Sequence, residues 1–337
     1  MKTKNRIILM ASIALLLFSC EKTIEFKGEE TQPLLVVNSI VQPDSALVAS
    51  VTNSVFFLSD NYIMPVENAN VQLFVNNNFV EKMQLYNERI TDLDYRPNVY
   101  YNHSVYISDY KIKTGDKIRY EISAPNFDKV WAENTVPAVT EIISLDTVVE
   151  KITQKEQYDE NYYSHYNFNF SLKFKDNANE KNYYRLTVDA AYFYYDEENE
   201  PVVMRRSPYY FDSKDMIFNN DPLTNTDGEY HSNGYDIFSD DLINGKEYSL
   251  SFSFLTDYNV NANLNGNIFY IQLQSLSSEY YMYLRTLSSQ NNEMGIFAEP
   301  TQIFNNINGG IGILGAFSVS EKMIVYQNRN KEIPYAQ

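Results

Sequence analysis

Cysteine, histidine and tryptophan are scarce in this chain. Cys20 is the only cysteine among 337 residues, and there are only three histidines and one tryptophan. A chain with a single cysteine cannot close an internal disulfide bond. The histidines His103, His165 and His231 lie far apart and lack the His-x-x-x-His spacing of zinc sites, so we expect no metal site.

Positive charge is also in short supply. The chain has 27 lysines and arginines against 44 aspartates and glutamates, which gives a formal net charge of −17 and an isoelectric point near 4.6. Nucleic acids are bound through basic patches, so we expect no nucleic-acid partner. The same deficit argues against docking on anionic lipids by charge alone.

Motifs of common enzyme chemistry are missing from the sequence as well. It contains no Gly-x-Ser-x-Gly nucleophile elbow, and the glycine-rich segment 306–312 lacks the Lys-Ser/Thr of a phosphate loop. We interpret 306–312 as a tight turn that leads into strands. A loose calcium site at Asp221, Asp227 or Asp236 is the alternative to a solvated loop. We therefore expect a protein that is not an enzyme and has no cofactor.

The first twenty residues predict a lipoprotein precursor. Three basic residues precede the apolar run 7–18, which at about a dozen residues is too short to span a membrane. Residues 17–20, Leu-Phe-Ser-Cys, resemble a bacterial lipobox with a small residue directly before the cysteine. We predict that residues 1–19 are a signal peptide, that Cys20 is lipidated, and that 20–33 form a flexible tether.

The rest of the chain predicts an all-β (mainly β) fold. Its 29 tyrosines and 20 phenylalanines belong to the residue types that favour strands. Short alternating segments separated by turns predict an immunoglobulin- or transthyretin-like sandwich domain at 34–138. Residues 139–337 are predicted to form a β-rich C-terminal domain with one helix at 277–289, capped by Ser277.

Individual strands follow from the same alternation. The predicted strands are 34–40, 46–52, 71–75, 79–83, 117–123, 130–133, 165–175, 183–195, 248–255, 268–276, 313–319 and 323–326. Residues 142–149 open the second unit. Three asparagines at 76–78 predict a hairpin turn, because asparagine tolerates positive φ. Residues 151–163 and 208–234 are predicted loops, and a loop as long as 208–234 is uncommon unless it is functional.

Two tyrosine-rich stretches are candidate binding surfaces. In strand 183–195 alternate residues must point away from the core, which makes Tyr192 and Tyr194 candidates. Tyr209 and Tyr210 form the second pair. Exposed aromatic rings can stack on a sugar or contact a protein partner. The alternative for these residues is packing between two β layers.

Several segments resemble a known family. They are 20–22, 34–40, 43–45, 115–120, 276–284 and 305–318, the last with the pattern Asn-Ile-x-Gly-Gly-x-Gly. Together they resemble the Bacteroidota outer-membrane lipoproteins of domain-of-unknown-function family 4249. The resemblance implies lipid anchoring in the cell outer membrane and a gene often placed beside a TonB-dependent receptor. It implies no established activity and no catalytic residues. Ser45 and Thr147 also lie in Asp-Ser/Thr-apolar patterns that resemble Bacteroidota O-glycosylation sites.

Three functions are consistent with these patterns. We expect an accessory lipoprotein of the cell envelope that binds a nutrient or partners a TonB-dependent outer-membrane receptor. The alternative is a structural or adhesive surface lipoprotein whose sandwich domains act as a stalk. A hydrolase with a catalytic triad hidden in the C-terminal domain is the third hypothesis.

Overall fold

The computed structural model of the chain describes nine stretches of residues. They are 32–56, 62–91, 100–155, 162–196, 198–218, 230–231, 236–257, 266–291 and 302–327. The predicted signal peptide 1–19, Cys20 and most of the predicted tether 20–33 lie outside the described residues. Within the described stretches, no helix is both long and apolar enough to cross a membrane.

Most of the described residues lie in β-strands. The first eight strands are β1 (Leu35–Val41), β2 (Leu47–Asn53), β3 (Asn70–Val75), β4 (Asn78–Lys82), β5 (Gln84–Thr91), β6 (Tyr100–Ser108), β7 (Lys117–Ser123) and β8 (Val130–Thr135). Most of these match predicted strands, whereas β5 and β6 were missed.

The second part of the chain adds eleven strands and the helix. The strands are β9 (Ile142–Lys155), β10 (Tyr162–Lys175), β11 (Tyr183–Tyr195), β12 (Pro201–Val203), β13 (Ser207–Tyr209), β14 (Asp212–Ser213), β15 (Tyr230–His231), β16 (Ile237–Ser239), β17 (Glu247–Asp257), β18 (Gly266–Leu276) and β19 (Ile311–Gln327). A short 3-10 helix covers Asp240–Leu242, and helix α1 covers Ser278–Asn291. The all-β prediction is confirmed.

These strands form three sheets. The largest has the order β12-β11-β18-β19-β1-β2-β6-β5, with β13 and β16 also paired to β11. A four-stranded sheet, β4-β3-β7-β8, and a five-stranded sheet, β15-β14-β17-β10-β9, accompany it. Because paired residues share a face, the strand registers place both hydrophobic cores on the same face of the large sheet. The fold is therefore two sandwiches side by side on one continuous sheet.

The N-terminal core lies between the four-stranded sheet and the middle of the large sheet. Along β1, buried residues such as Leu35 and Val37 alternate with more exposed ones, as a half-buried strand requires. The predicted hairpin between β3 and β4 is confirmed, since Asn76 and Asn77 have φ of 52° and 66°. Their small polar side chains make this left-handed backbone tolerable.

The C-terminal core is dominated by aromatic rings. Phe170 of β10 stacks on Phe252 of β17 with ring centroids 4.8 Å apart. Phe254 of β17 lies 4.7 Å from Phe269 of β18, so the rings join the five-stranded sheet to the large one. Aromatic pairs at such distances add stability beyond the area that they bury. The tyrosine and phenylalanine excess of the sequence therefore serves this core.

The link between the two cores crosses the face of the large sheet over small buried serines. The Ser318 hydroxyl donates to the carbonyl of Pro137 at 2.6 Å, and the Thr140 N–H donates to the Ser275 hydroxyl at 3.1 Å. Serines leave room for the crossing chain and satisfy its buried backbone groups.

The predicted domain boundary, between 138 and 139, lies within this link. However, β19 pairs in antiparallel fashion with β18 and in parallel with β1, from Val36–Ile311 to Val41–Ala316. Residues near the end of the chain thus complete the N-terminal core. The division of the chain into separate domains at 34–138 and 139–337 stays a prediction.

The glycine-rich segment 306–312 allows this parallel pairing. Gly312 has a φ of 122°, and a Cβ atom there would lie 2.0 Å from the carbonyl oxygen of Val37 on β1. Just before it, Asn308 forms an isolated bridge with Trp131 of β8. The segment is therefore a turn that leads into a strand, fitted between β1 and β8.

Helix α1 packs on the other face of the large sheet. The hydroxyl of Ser277 accepts a hydrogen bond from the N–H of Tyr280 at 3.2 Å, which confirms the predicted N-terminal cap. Tyr280 lies directly over Gly315, where an added Cβ would come within 3.0 Å of its Cβ.

Three sequence predictions need correction. The loop predicted at 151–163 is wrong in part, because β9 runs to Lys155 and pairs with Tyr162 of β10. Its polar residues belong to a strand extension beyond the core. The strands 313–319 and 323–326 are one strand, since β18 supplies pairing partners for 317–327 without a break, including the predicted gap at 320–322. The predicted loop 208–234 contains short strands, although 219–229 and 232–235 lie outside the described residues.

Candidate functional site

A pocket of about 210 Å³ lies beside β11, in the gap between β16 and β13. At this gap the N–H of Leu186 donates to the carbonyl of Asp236 at 2.9 Å. The pocket is lined by Arg185, Thr187, Val188 and Asp189 of β11, Gln272 and Gln274 of β18, Pro208, Tyr209, Tyr210 and Asp236. We call it the tyrosine pocket.

The tyrosine pocket brings together two of the four predicted binding tyrosines. The hydroxyl of Tyr209 donates to the carbonyl of Leu255 at 2.8 Å, and its ring packs 5.0 Å from that of Phe254. Tyr209 is therefore a fixed wall, which agrees with the packing alternative. Tyr210 is 69% exposed, so its ring is available to a ligand.

The other two predicted tyrosines lie farther along β11. Tyr192 pairs with Asn267 of β18, and Tyr194 pairs with Val202 of β12. Tyr194 is exposed and Tyr192 is half-buried. Neither lines the tyrosine pocket, so the structure does not unite the two pairs.

A chain of polar side chains runs along the floor of the pocket. The amide nitrogen of Gln272 donates to the carboxylate of Glu321 at 2.7 Å. The amide oxygen of Gln272 accepts from the hydroxyl of Thr187 and from the amide nitrogen of Gln274, both at 3.2 Å. Gln274 is only 7% exposed, and its carbonyl oxygen has no hydrogen-bond partner among the described residues.

The positive charge of Arg206, beside the pocket, is already paired. The guanidinium group of Arg206 donates to Asp189 at 3.1 Å and to Glu321 at 2.8 Å, and it lies 3.7 Å from the ring centroid of Tyr270. Burial alone would lower the pKa of Arg206, but the bonds with Glu321 and Asp189 outweigh it and raise that pKa. Arg206 thus acts as a structural clamp.

Sequence reasoning missed the glutamines of this site. Tyr270, Gln272 and Gln274 occupy alternate positions of a strand, which is a readable sign of a polar face. Glu321, the partner of Gln272, could not be placed on a strand from the sequence. It belongs to residues 320–322, which separate two segments that were predicted as different strands.

A larger cavity, about 430 Å³, lies where the two sandwiches and the start of α1 meet. At its rim Lys117 pairs with Glu133 at 2.8 Å, and Lys181 pairs with Asp240 and Asp241. The hydrogen bond from Lys117 lowers the pKa of Glu133. These charges compensate one another within the protein, which indicates a structural role for the rim.

The chain matches a known protein family over most of its length. The model of a family described as Domain of unknown function (DUF4249) matches residues 21–323. The chain belongs to this family. No curated protein matches the chain. The predicted family is confirmed, whereas the Bacteroidota origin and the lipid anchoring in the outer membrane stay predictions. The matched range contains the tyrosine pocket of this DUF4249 protein.

The predicted modification sites have different surroundings in this DUF4249 chain. The hydroxyl of Ser45 accepts from the amide of Gln42 at 2.7 Å on a half-buried turn. The hydroxyl of Thr147, on β9, is buried and has no hydrogen-bond partner among the described residues. A glycan on Thr147 would require its side chain to rotate outward. Both sites stay predictions.

The described part of the DUF4249 chain has few clustered metal-binding side chains. There, no three His, Cys, Asp or Glu side chains are close enough together to hold a metal ion. Asp221 and Asp227, the first two members of the loose calcium alternative, lie outside the described residues, whereas Asp236 lines the tyrosine pocket. The expectation of no metal site stays a prediction.

Proposed function

We propose that this DUF4249 protein is an accessory lipoprotein of the cell envelope. It is anchored to the outer membrane by lipid on Cys20, binds a small extracytoplasmic ligand in the tyrosine pocket, and works with a TonB-dependent receptor. One observation carries the binding role: the carbonyl oxygen of buried Gln274 lacks a partner among the described residues, beside the exposed ring of Tyr210. This oxygen is not among the buried side-chain atoms that lack a partner, so it is accessible from the pocket, where it can accept a hydrogen bond from a ligand.

The anchor is supported by the sequence of the first twenty residues. Two or more acyl chains hold a protein stably on a membrane, because each buried CH₂ contributes about 0.8 kcal/mol. Removing residues 1–19 would also remove three basic residues and no acidic ones, so the mature chain would be more acidic than the precursor.

The anchor is tested by replacing the acylated sulfur. In cells fed labelled palmitate, we expect the wild-type chain to carry label and to sediment with outer membranes. The Cys20→Ser variant should stay unlabelled and keep its uncleaved N-terminus. An unlabelled wild-type chain with a bare thiol at position 20, detected by mass spectrometry, would refute this part of the proposal.

The partnership is tested by affinity purification from detergent-solubilised membranes. We expect an outer-membrane receptor to co-purify with the full chain, and we expect small molecules released by denaturing the purified chain to be depleted in Tyr210→Ala. Tyr86→Ala is the matched control, because Tyr86 is also exposed but lies on β5, in the other sandwich. Recovery of neither a receptor nor a ligand would count against the proposal.

A structural or adhesive role is the second candidate. The observation in its favour is the continuous large sheet that joins both cores and makes the two sandwiches one body. A deletion strain that loses surface attachment but grows normally on every nutrient would support this role over ligand uptake.

A further inference from the structure

The amide orientations on the floor of the tyrosine pocket are determined by one carboxylate. An ionised carboxylate can only accept hydrogen bonds, so Glu321 requires the nitrogen of Gln272 to face it. The oxygen of Gln272 must then point the other way, towards Thr187 and Gln274. An amide oxygen in turn requires a donor, so Gln274 turns its nitrogen towards Gln272.

The chain of hydrogen-bonded side chains that begins at Glu321 ends at the carbonyl oxygen of Gln274. Gln274 lines the pocket with its nitrogen bonded to Gln272, and its carbonyl oxygen is not among the buried atoms without a partner, so this oxygen is accessible. This oxygen belongs to a side chain that is more than nine-tenths buried, and it has no partner among the described residues. The pocket therefore presents a fixed acceptor, and a complementary ligand must supply an O–H or N–H donor.

The size of the pocket limits the ligand further. Pockets for drug-sized ligands enclose about 300–1,000 Å³. The 210 Å³ here suits a single ring or one unit of a longer chain that continues past the exposed Tyr210. An aromatic ring at the mouth offers a flat apolar surface to the C–H face of such a ring.

The charges around the pocket favour a ligand without net charge. Arg185 and Asp236 line it together with opposite signs, and Asp189 is neutralised by Arg206. With Asp189 neutralised, an anion would still meet the Asp236 carboxylate, and a cation would meet the Arg185 guanidinium. Neither sign of charge gains a clear advantage.

We propose that the tyrosine pocket binds one neutral sugar ring, with a ring hydroxyl donating to the Gln274 carbonyl oxygen and an apolar ring face packed on Tyr210. Gln274 and Tyr210 are the specificity-determining residues, and Glu321 is a positioning residue that acts through Gln272. This inference rests on the binding role proposed above and adds the chemical class of the ligand.

Titration of the full chain in detergent tests the ligand class. The probes are glucose, galactose, mannose and N-acetylglucosamine, with glucuronate and glucosamine as charged counterparts, followed by saturation-transfer NMR and calorimetry. We expect at least one neutral sugar to bind more tightly than both charged probes. Gln274→Met should weaken its binding about tenfold, the loss of one hydrogen bond to a ligand. Tyr210→Ala should weaken binding, whereas Tyr86→Ala should not.

The positioning role of Glu321 is tested with deoxyfluoro sugars, whose fluorine cannot donate a hydrogen bond. Wild-type protein should prefer the parent sugar over the analogue fluorinated at the bonded hydroxyl. In Glu321→Gln this preference should fall towards one, because the glutamine side chain permits both orientations of Gln272 and Gln274. A uniform loss of affinity with the preference unchanged would show a merely structural role for Glu321.

Two outcomes would overturn the sugar assignment. One is tighter binding of a charged probe than of every neutral sugar, and the other is sugar binding that survives both Gln274→Met and Tyr210→Ala. If no sugar binds but a different molecule co-purifies in a Tyr210-dependent manner, the sugar class is wrong and the proposed binding function stands. Loss of that co-purification as well would remove both.

Discussion

The side-chain amide of Asn134 donates a hydrogen bond to the hydroxyl of Ser277 at 2.9 Å, although 143 positions separate them. Its other hydrogen is donated to the carbonyl of Leu314 at 2.7 Å. One buried side chain at the end of β8 is thereby bonded both to the residue that caps α1 and to the backbone of β19. This contact joins the N-terminal sandwich to the last elements of the chain.

We expect Asn134→Ala to lower the free energy of unfolding by about 2–3 kcal/mol, because the two hydrogen bonds that the side chain donates are lost together with the one that its oxygen accepts from the N–H of Thr135. Urea denaturation followed by circular dichroism measures this loss. Asn179→Ala, at an exposed turn, is the control and should change stability by less than about 0.5 kcal/mol. Equal losses in the two variants would contradict the bridging role of Asn134.

Gly312 and Gly115 allow two effects of a glycine substitution to be compared. At Gly312 an added side chain would both strain the backbone and clash with β1, whereas at Gly115 it would only strain the backbone. Both have positive φ, 122° and 84°, but an added Cβ at Gly312 would meet the Val37 carbonyl oxygen, whereas at Gly115 it would meet open space. We expect Gly115→Ala to cost about 1 kcal/mol and Gly312→Ala at least about 3 kcal/mol. Thermal unfolding of both variants measures these losses of stability. A Gly312→Ala protein as stable as the Gly115→Ala protein would exclude the close approach of residue 312 to β1.

Phe254 is expected to support both the C-terminal core and the tyrosine pocket. It is buried, and its ring lies 4.7 Å from Phe269 and 5.0 Å from Tyr209. Phe254→Ala should cost about 3–5 kcal/mol and loosen the Tyr209 wall. Phe79→Ala, at a residue that is 56% exposed on β4, should cost far less. Denaturant midpoints test the difference, which should vanish if the rings are loosely packed.

Tyr120 should make the protein less stable in strong alkali. Complete burial raises the pKa of Tyr120 from 10.0 to about 12, because the phenolate would lose its hydration. The folded state therefore holds this proton more tightly than the unfolded chain. The resulting stability is fully present below pH 10 and is lost as the pH rises to 12, a decline of about 2–3 kcal/mol.

The variant Tyr120→Phe isolates this effect from the other tyrosines. Its stability should fall less steeply than that of the wild type between pH 10 and 12, measured by urea unfolding at a series of pH values. Parallel curves for the two proteins would mean that the Tyr120 phenol ionises as easily in the fold as in the unfolded chain.

Strands were predictable where their pattern was local. Strand β11 matches the predicted 183–195 from end to end, since Tyr184, Leu186 and Val188 alternate with more polar residues and face one core. The Ser277 cap was also readable, because a hydroxyl before a helical pattern is a local signal. The polar end of β9 was misread, because its residues are held by pairing with β10 and not by burial.

The candidate site was only half predictable. Tyr209 and Tyr210 were identified because they lie in a tyrosine-rich stretch. Gln274 was not identified, since nothing in the strand 268–276 reveals which neighbour its amide will meet. That partnership arises from the register between β18 and β19, in which Gln272 lies opposite Glu321.

By itself, the sequence determined the all-β class, most strand positions, the single helix with its cap and the membership of the family, because each depends on alternation, spacing or motif within a few residues. Only the tertiary structure decided that the last strand lies beside the first, that two cores share one sheet, and that a polar chain ends at an open acceptor. Pairings between residues far apart depend on the combined packing of several strands, and no local pattern records them.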